Sequence, residues 1–467
     1  MGDINFKSGS LVELSNNILS ATKVMRLREG TKDLYLYNDK FYEPLSEFKL
    51  GQIIHKFYID HNGSFFYTPT KGENLLKTIK TSPAVKEIDF DNYDNLINVN
   101  NGVLNLDTYE ITKHSFKYNF TYCLDVDYDV DSVKSPNFNK FLEGIFTTAE
   151  NKIDHDTIEN IWRLGGYLIY PQSKVEKIFI LLGGGENGKT MLIDIFASFF
   201  PDKFVTSISL NTLSNASSQE RTPLITSRFN VSSEAKGEKI DDGEIKKIAS
   251  GQKISIARKF LDPLDMKSRT KLFVDSNHSP YFNDTSWGME RRLCIFSLAN
   301  TFLEKSEFDK VKNPDTKRVF LGKNKDEFMT AIMKEKSAIL NLFINGLIDL
   351  RKLNWKIPQT QNMAEIMSDY KDKSDPVGTW LTDNYEANEK PKNKNDYIPI
   401  LAIINEFGEY YSKNYPGKKF SYSTKLLGRR IRELFKVEGK QTRFDNSTTT
   451  GYPLTRKTVK DETACLF

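Results

Sequence analysis

The stretch KIFILLGGGENGKTMLIDIFASFF at 177–200 restricts this chain more than any other. Its continuous apolar run at 177–182 is the pattern of a strand buried on both faces of a parallel sheet. Helical spacing over 191–200 stops at Pro201. Between the two, Gly183, Gly184, Gly185, Glu186, Asn187, Gly188, Lys189 and Thr190 match G-x-x-x-x-G-K-[ST]. Glycines let backbone N–H groups turn inward around phosphate oxygens, and the following helix adds its positive end. Lys189 then neutralises the β- and γ-phosphates and the Thr190 hydroxyl reaches Mg²⁺. Strand before and helix after argue against a plain glycine turn.

The chain has 467 residues, which predicts two or three domains. Its apolar and charged fractions are those of a globular protein rather than a disordered one. Cys123, Cys294 and Cys465 are scattered, with neither zinc spacing nor a disulfide framework, which suits a reducing compartment. No apolar stretch approaches the length needed to span a membrane, and the N-terminus lacks a signal-peptide core. The expectation is a soluble, cytoplasmic protein with no membrane partner.

Along the chain, residues 1–130 alternate short apolar runs with Asn, Asp and Gly turns; Asn100-Asn101-Gly102 reads as one turn and Asp107 marks another. Helical spacing follows over 138–146 and 156–170, and again over 327–353. Apolar runs at 228–231, 271–274 and 293–296 alternate with helical stretches and suit further strands of the same α/β sheet. The charged stretch YEANEKPKNKND at 385–396 reads as a flexible connection or an extended loop within the last domain. From 417 to 460 there are twelve basic residues against three acidic ones, although the whole chain carries only +4.

A nucleotide motor needs a carboxylate on a neighbouring strand to orient the attacking water. Glu234, closing RFNVSSE, and Asp275, closing KLFVD, both qualify, and the purer apolar run favours Asp275. Asn277, two residues on, suits a γ-phosphate sensor.

The ordered series GGGENGKT, RFNVSSE, IKKIASGQKISIARKF, KLFVDSNHSP and WGMERRLCIFSL resembles the superfamily 3 helicases. Within them it is most similar to the poxvirus helicase-primase and phage/plasmid primase group, AAA+ ATPases that act as ring hexamers on DNA. INVNNGVLNLDTYEITKHS, LDVDYDV and IWRLGGYLIY extend the resemblance upstream, so it covers most of 90–300. The resemblance implies that Glu234 is the catalytic carboxylate, assisting Mg²⁺ with Thr190, and that Asn277 is the sensor. It implies that Arg291 or Arg292 is an arginine finger reaching the neighbouring subunit's ATP. Ser233 departs from the pattern, standing where many AAA+ proteins carry Asp, so Mg²⁺ leans more on Thr190 and water.

Residues 253–269 read as two strands flanking Asp262-Pro263, a cationic hairpin at the position where the family grips DNA in its pore; Lys259 and Lys267 are the candidate contacts. In the tail, Ser423 caps an amphipathic helix with Leu426, Leu427, Ile431, Leu434 and Phe435 inward and Lys425, Arg429 and Arg432 outward, as a groove-reading helix requires. Residues 442–458 suit a β-hairpin wing with a mobile STTTG tip.

The expected architecture is α/β: an α+β N-terminal domain over 1–150 with a DNA-binding or collar role, an AAA+ P-loop ATPase core over 151–375, and a winged-helix-like DNA-binding domain over 376–467. The expected function is an ATP-dependent replicative DNA helicase that loads itself at an origin of a phage or mobile element. Its expected cofactors are ATP and Mg²⁺, and its partners are DNA and copies of itself in a hexamer. Residues 1–90 show no carboxylate cluster for two-metal nucleotidyl transfer, so primase activity falls to another chain. The alternatives are an ATP-switched DNA-binding initiator with little unwinding, or a helicase-primase that lacks an obvious primase site. A small-molecule P-loop kinase explains the loop but not the paired arginines, the cationic hairpin or the basic tail.

Overall fold

The computed structural model describes residues 11–457 except 22–24, 30–32, 63–67, 149, 234–239, 278–286, 315–317, 417–419, 421 and 445–446. The protein is a mixed α/β chain with several sheets, divided into two compact units, Met1–Met363 and Ala364–Phe467.

In the first unit, Tyr42–Pro44, Leu34–Tyr37, Met25–Arg28 and Glu87–Ile88 form a four-stranded sheet in that order. Helices Leu11–Ala21, Glu47–Asn62 and Pro69–Lys80 share a core with it through Ile18, Met25, Leu50, Ile54, Leu75 and Ile79. Next comes a three-stranded antiparallel sheet, Leu96–Val99, Gly102–Asn105 and Ile111–Thr112. Val99 pairs with Gly102, so Asn100-Asn101 is the tight turn that the sequence announces.

Helix α1 (His155–Ile169) leads to strand β1 (Ile178–Leu182), and helix α2 (Lys189–Ala197) follows. Strands β2 (Val205–Thr206), β3 (Phe229–Ser233), β4 (Lys271–Ser276) and β5 (Leu293–Ser297) complete a parallel sheet in the order β5-β1-β4-β3-β2. β1 lies between β4 and β5 with Ile178 to Leu181 wholly buried, as its unbroken apolar run requires. The expected single helix over 327–353 is instead two, Lys325–Met333 and α3 (Lys336–Lys352). The break at Lys334-Glu335 frees the Glu335 carboxylate, which accepts hydrogen bonds from the N–H groups of Asn137 and Phe138 at 3.0 Å each. Ile332, Ile339, Phe343, Leu347 and Leu350 are all buried. One continuous core links residues 97–146 with the parallel sheet and α3, without a break at residue 150.

Close approach of α1 and α3 depends on glycine. A Cβ at Gly166 would lie 2.3 Å from the Phe343 carbonyl oxygen and 2.5 Å from Leu347 N; one at Gly346 would lie 2.4 Å from the Trp162 carbonyl. The near contact seats the Phe343 ring 5.1 Å from Phe199 and 5.8 Å from Phe196, joining α3 to the helix that follows the glycine loop.

In the second unit, α4 (Pro376–Asn384) is followed by β6 (Ile398–Pro399), α5 (Ile400–Asn414), α6 (Thr424–Phe435), β7 (Lys440–Phe444) and β8 (Ser447–Tyr452). The sheet order is β6-β8-β7. Trp380, Leu381, Ile403, Phe407, Leu427, Ile431 and Tyr452 share one core. Residues 385–396 are a loop of this unit: Tyr385–Ala387 pairs with Leu454–Arg456, and Asn393 and Asp396 form a capping box. The expected STTTG tip is a correction. Ser447–Gly451 lies in β8, paired residue for residue with β7, because β-branched threonines favour the extended ladder over a mobile turn.

Backbone cannot yield at the α1–α3 contact, so Gly166→Ala should destabilise the protein by about 1–3 kcal/mol or more. The midpoint of chemical denaturation measures this, and an unchanged midpoint would refute the packing account.

Candidate nucleotide and nucleic-acid sites

The glycine loop leaves the sheet at the C-terminal end of β1, where Leu182 stands beside Ser276 of β4 and Ser297 of β5. Gly185 and Gly188 have φ of 104° and 90°, values that side chains resist. A Cβ at Gly188 would also meet Ile145 Cγ2 at 2.8 Å, so the loop needs glycine there twice over. At Gly184 and Gly185 an added Cβ would meet nothing within 4 Å, which leaves the backbone open on that side. The loop is pinned from outside: Gly183 N donates to Ser276 O at 3.2 Å, and Phe302 N donates to Glu186 O at 2.7 Å.

Lys189, the first residue of α2, is buried at 5 % exposure. Its ammonium donates to Gly183 O at 2.5 Å, to Asn277 Oδ1 at 3.2 Å and to Asn187 Oδ1 at 3.3 Å, with Asp275 Oδ1 at 3.8 Å. Asn187 Nδ2 in turn donates to Leu298 O at 3.4 Å. Thr190 is exposed at the start of α2. The fold thus brings Lys189, Asp275 and Asn277 together from positions 88 residues apart. Ser233, exposed at the end of β3, pairs in register with Asp275. Glu234 lies outside the described residues.

This geometry fits a nucleotide phosphate. The open backbone at Gly184 and Gly185, the start of a nine-residue helix and a buried ammonium converge at one strand end. Among the described residues no group of three His, Cys, Asp or Glu could hold a metal ion; the exposed Thr190 hydroxyl at the start of α2 is one protein oxygen that could reach Mg²⁺.

Arg291 and Arg292 stand at the other end of the sheet, before Leu293, which pairs with Ile178 at the start of β1. A strand of this length spans roughly 15 Å, so neither arginine meets its own glycine loop. The two differ sharply. Arg292 is buried, donating to Ser250 Oγ at 3.2 Å and to Gly288 O at 2.5 Å; burial, with Arg291 beside it, pulls its guanidinium below the ordinary value. The Arg291 side chain is 42 % exposed, 3.9 Å from Glu176 Oε2.

The cationic hairpin is present as Lys253–Arg258 and Leu261–Lys267, but its turn is a correction. Asp-Pro is a common turn former, yet Asp262 and Pro263 lie inside the second strand and the chain reverses at Lys259-Phe260. The physical reason is register. Ile254 and Ile256 must lie opposite Met266 and Leu264 to bury one face, and a bulge between Ile256 and Arg258 takes up the odd residue. Lys259 therefore sits at the tip beside Phe260, whose φ is 61° and which is 93 % exposed. Lys267 sits at the base, opposite Lys253, and both are exposed. Arg258 reaches back to both Asp33 carboxylate oxygens, at 2.8 and 2.7 Å, a tether between distant residues that no local pattern announces.

In the second unit, Lys425 and Arg429 project from α6 as exposed side chains, and Arg432 is exposed while donating to the Tyr452 hydroxyl at 2.9 Å. Leu427 and Ile431 are buried, whereas Leu426, Leu434 and Phe435 are only partly so. Arg430 is structural: it pairs with Asp375, whose other oxygen caps α4 by accepting from Gly378 N at 3.0 Å.

Comparison with known proteins adds two family matches. Residues 20–147 match a family described as D5 N terminal like, and residues 181–292 match a family of unknown function, DUF5906. No curated protein matches in sequence. Among solved structures, the apo structure of the NrS-1 C-terminal region (305–718) is similar at TM-score 0.52 and 12 % identity, over 96 % of this chain and 100 % of that one. Two A-form apo structures of the same region give 0.52 at 11 % and 0.53 at 13 % identity with the same coverage. The likeness establishes a shared fold across nearly the whole chain. No helix among the described residues is long and apolar enough to cross a membrane.

The hairpin geometry separates two substitutions. Phe260→Ala should shift folding stability by less than about 0.5 kcal/mol, whereas Ile256→Ala, at a fully buried site, should cost about 2–5 kcal/mol. Urea denaturation of the two variants checks this, and equal midpoints would contradict it.

Proposed function

We propose that this chain is an ATP-driven DNA helicase subunit of the superfamily 3 type, within the AAA+ ATPases, acting in the replication of a phage or mobile genetic element. The observation that carries the reading is the strand order β5-β1-β4-β3-β2, with the glycine loop leaving β1 and Asp275 and Asn277 at the end of the adjoining β4. That is the order and placement expected of an AAA+ core. The D5 N terminal like match over 20–147 agrees with the upstream resemblance in the sequence.

In this reading the loop N–H groups and Lys189 hold the β- and γ-phosphates of ATP, and Thr190 holds Mg²⁺. Mg²⁺ bound there would offset the charge that builds on the phosphates during transfer. Glu234, which follows Ser233 in the sequence, takes the part of the carboxylate that polarises the attacking water. Asn277, already in contact with Lys189, aligns that water against the γ-phosphate. Since the arginine pair lies a strand's length from the loop, it serves a neighbouring copy's ATP. Arg291 is the finger, because Arg292 is committed to Ser250 and Gly288 within its own chain. The site is then shared between copies, which fits a closed ring, with six subunits expected.

For DNA, Lys259 at the hairpin tip and Lys267 at its base offer phosphate contacts to a strand in the ring. In the second unit, the element order α4-β6-α5-α6-β7-β8 is that of a winged helix, with Lys425, Arg429 and Arg432 on the helix that would enter a groove. That unit supplies duplex or origin recognition.

Lys189→Ala and Glu234→Gln should each abolish DNA-stimulated ATP hydrolysis and fork unwinding, by a hundredfold or more, on the order seen when one transition-state group is removed. Arg291→Ala should do likewise, and mixing it with Lys189→Ala should restore turnover that neither variant has alone. ATP turnover indifferent to DNA, in a protein that stays monomeric with nucleotide, would sink the helicase reading. Assembly and DNA binding with ATP but little unwinding would favour an ATP-switched initiator. Deleting residues 364–467 should weaken duplex binding at fixed salt while leaving basal ATP hydrolysis in place. Undiminished duplex affinity in that truncation would remove the winged-helix assignment.

A further inference from the structure

Away from the glycine loop, a second group of charges converges deep in the first unit. Asp91 is fully buried with a φ of 56°. Its Oδ1 accepts from Thr121 N at 2.7 Å and its Oδ2 from the Thr121 hydroxyl at 2.5 Å. Arg228 Nη2 donates to the same Oδ2, and Arg269 Nη1 lies 3.6 Å from it. Arg228 Nη2 also donates to Thr121 Oγ1 at 2.8 Å, and its guanidinium lies 4.7 Å from the centre of the Tyr122 ring. Lys271, 2 % exposed, joins them and donates to Tyr170 O at 2.5 Å. Burial works to raise the Asp91 pKa, but the two arginines overcome it and hold the carboxyl below its ordinary value.

The group is costly by design. Buried Arg228 and Lys271 and the partly buried Arg269 face one fully buried carboxylate; burial and the two arginines pull the Lys271 ammonium well below its ordinary value, and the half-exposed Asp89 reaches Arg269 at 3.5 Å. Tyr122 Oη and Arg228 Nε are buried without a hydrogen-bond partner. A buried ionic group of this kind contributes little net stability compared with well-packed apolar residues, and its best-attested use is to fix one arrangement among several. What it fixes is visible in its position. Arg228 directly precedes β3, Arg269 stands two residues before β4, and Lys271 begins β4. The strands are tied at this end: Lys271 N donates to Arg228 O and Thr270 Oγ1 to Ser227 O, at 3.0 Å each. Pairing then runs unbroken from Phe229 and Lys271 to Ser233 and Asp275, the ends that lead to Glu234 and Asn277. A change of spacing at one end of so short a paired ladder reaches the other.

We propose that Asp91 is a positioning residue for ATP hydrolysis: by neutralising Arg228 and Arg269 it sets the spacing of β3 and β4, and so the placement of Ser233, Asp275 and Asn277 from the far end of the sheet. Asp91 belongs to the segment matched as D5 N terminal like, and its two arginine partners to the segment matched separately, so the carboxylate also joins these regions. The inference rests on the ATPase reading above. Lys189 lies in α2 and the glycines lie between β1 and α2, none of them touched by Asp91, so turnover should suffer well beyond any change in nucleotide affinity.

The test is steady-state ATP hydrolysis by the full chain and Asp91→Asn, with nucleotide affinity measured separately by a fluorescent ATP analogue and folding checked by circular dichroism and thermal unfolding. The expected result is a fall in kcat of about tenfold with affinity within about twofold, in a protein that remains folded at the assay temperature. Arg269→Gln, which leaves the Arg228 pair intact, should give the same split with a loss of about threefold, and it decides the matter should Asp91→Asn not fold. A folded Asp91→Asn with wild-type kcat overturns the proposal, as does a loss shared equally between turnover and affinity. Wild-type protein without any ATP turnover overturns the ATPase reading and this inference together, whereas active wild type with an unimpaired variant overturns only this one.

Discussion

Burial of β1 on both faces is the constraint on which the first unit is built. A strand with Ile178 to Leu181 fully covered can only lie inside a sheet, and parallel neighbours on both sides follow from the helices that cover its faces. Its C-terminal end leaves the sheet beside Ser276 and Ser297, and Gly185 and Gly188 take the positive φ that the turn after it requires. Coverage from above depends on Phe343, which reaches Phe138, Phe196 and Phe199 because Gly166 and Gly346 let α1 and α3 approach. Packing and chemistry are therefore joined: the ring that closes the core also rests on the helix that begins with Lys189.

Charge is sorted along the strands of this sheet. One end gathers Lys189 with Asp275 and Asn277; the other gathers Arg228, Arg269 and Lys271 around Asp91, with Arg291 and Arg292 at the start of β5. Parallel pairing puts like ends together, so residues just before each strand and just after it fall into two separate groups whatever their spacing in sequence. This is why a motif at 183–190 and arginines at 291–292, adjacent in a parallel sheet, cannot share one nucleotide.

Local patterns were legible and long-range ones were not. The run at 177–182, the glycine loop, the helix after it and the strands near 229, 271 and 293 each declare themselves through a few consecutive residues. The sequence points to the wrong hairpin turn because Asp262-Pro263 carries a strong local turn signal, whereas Lys259-Phe260 is chosen by register between strands. The break at Lys334-Glu335 hides in continuous helical spacing, since Glu335 serves a partner nearly 200 residues away. Threonines at 448–450 read as a mobile tip only while their ladder partners in β7 are unknown. The Asp91 group left no trace, because its members lie at 91, 228 and 269 and each alone is an ordinary charged residue. In the candidate site the carbonyl of Leu298, a backbone atom, is silent in the sequence, and Asn187 reads there as a loop position without showing that its side chain meets Lys189.

The hairpin Lys253–Lys267 has a further consequence. It is a two-stranded ribbon, and such a ribbon offers unpaired backbone to any passing strand, the usual route to aggregation. Its second strand discourages that: Pro263 has no N–H to give, and exposed Asp262, Asp265 and Lys267 place charge along the same segment. The residues that look like a turn in the sequence thus act as guards, keeping an exposed ribbon solitary when many copies are crowded together.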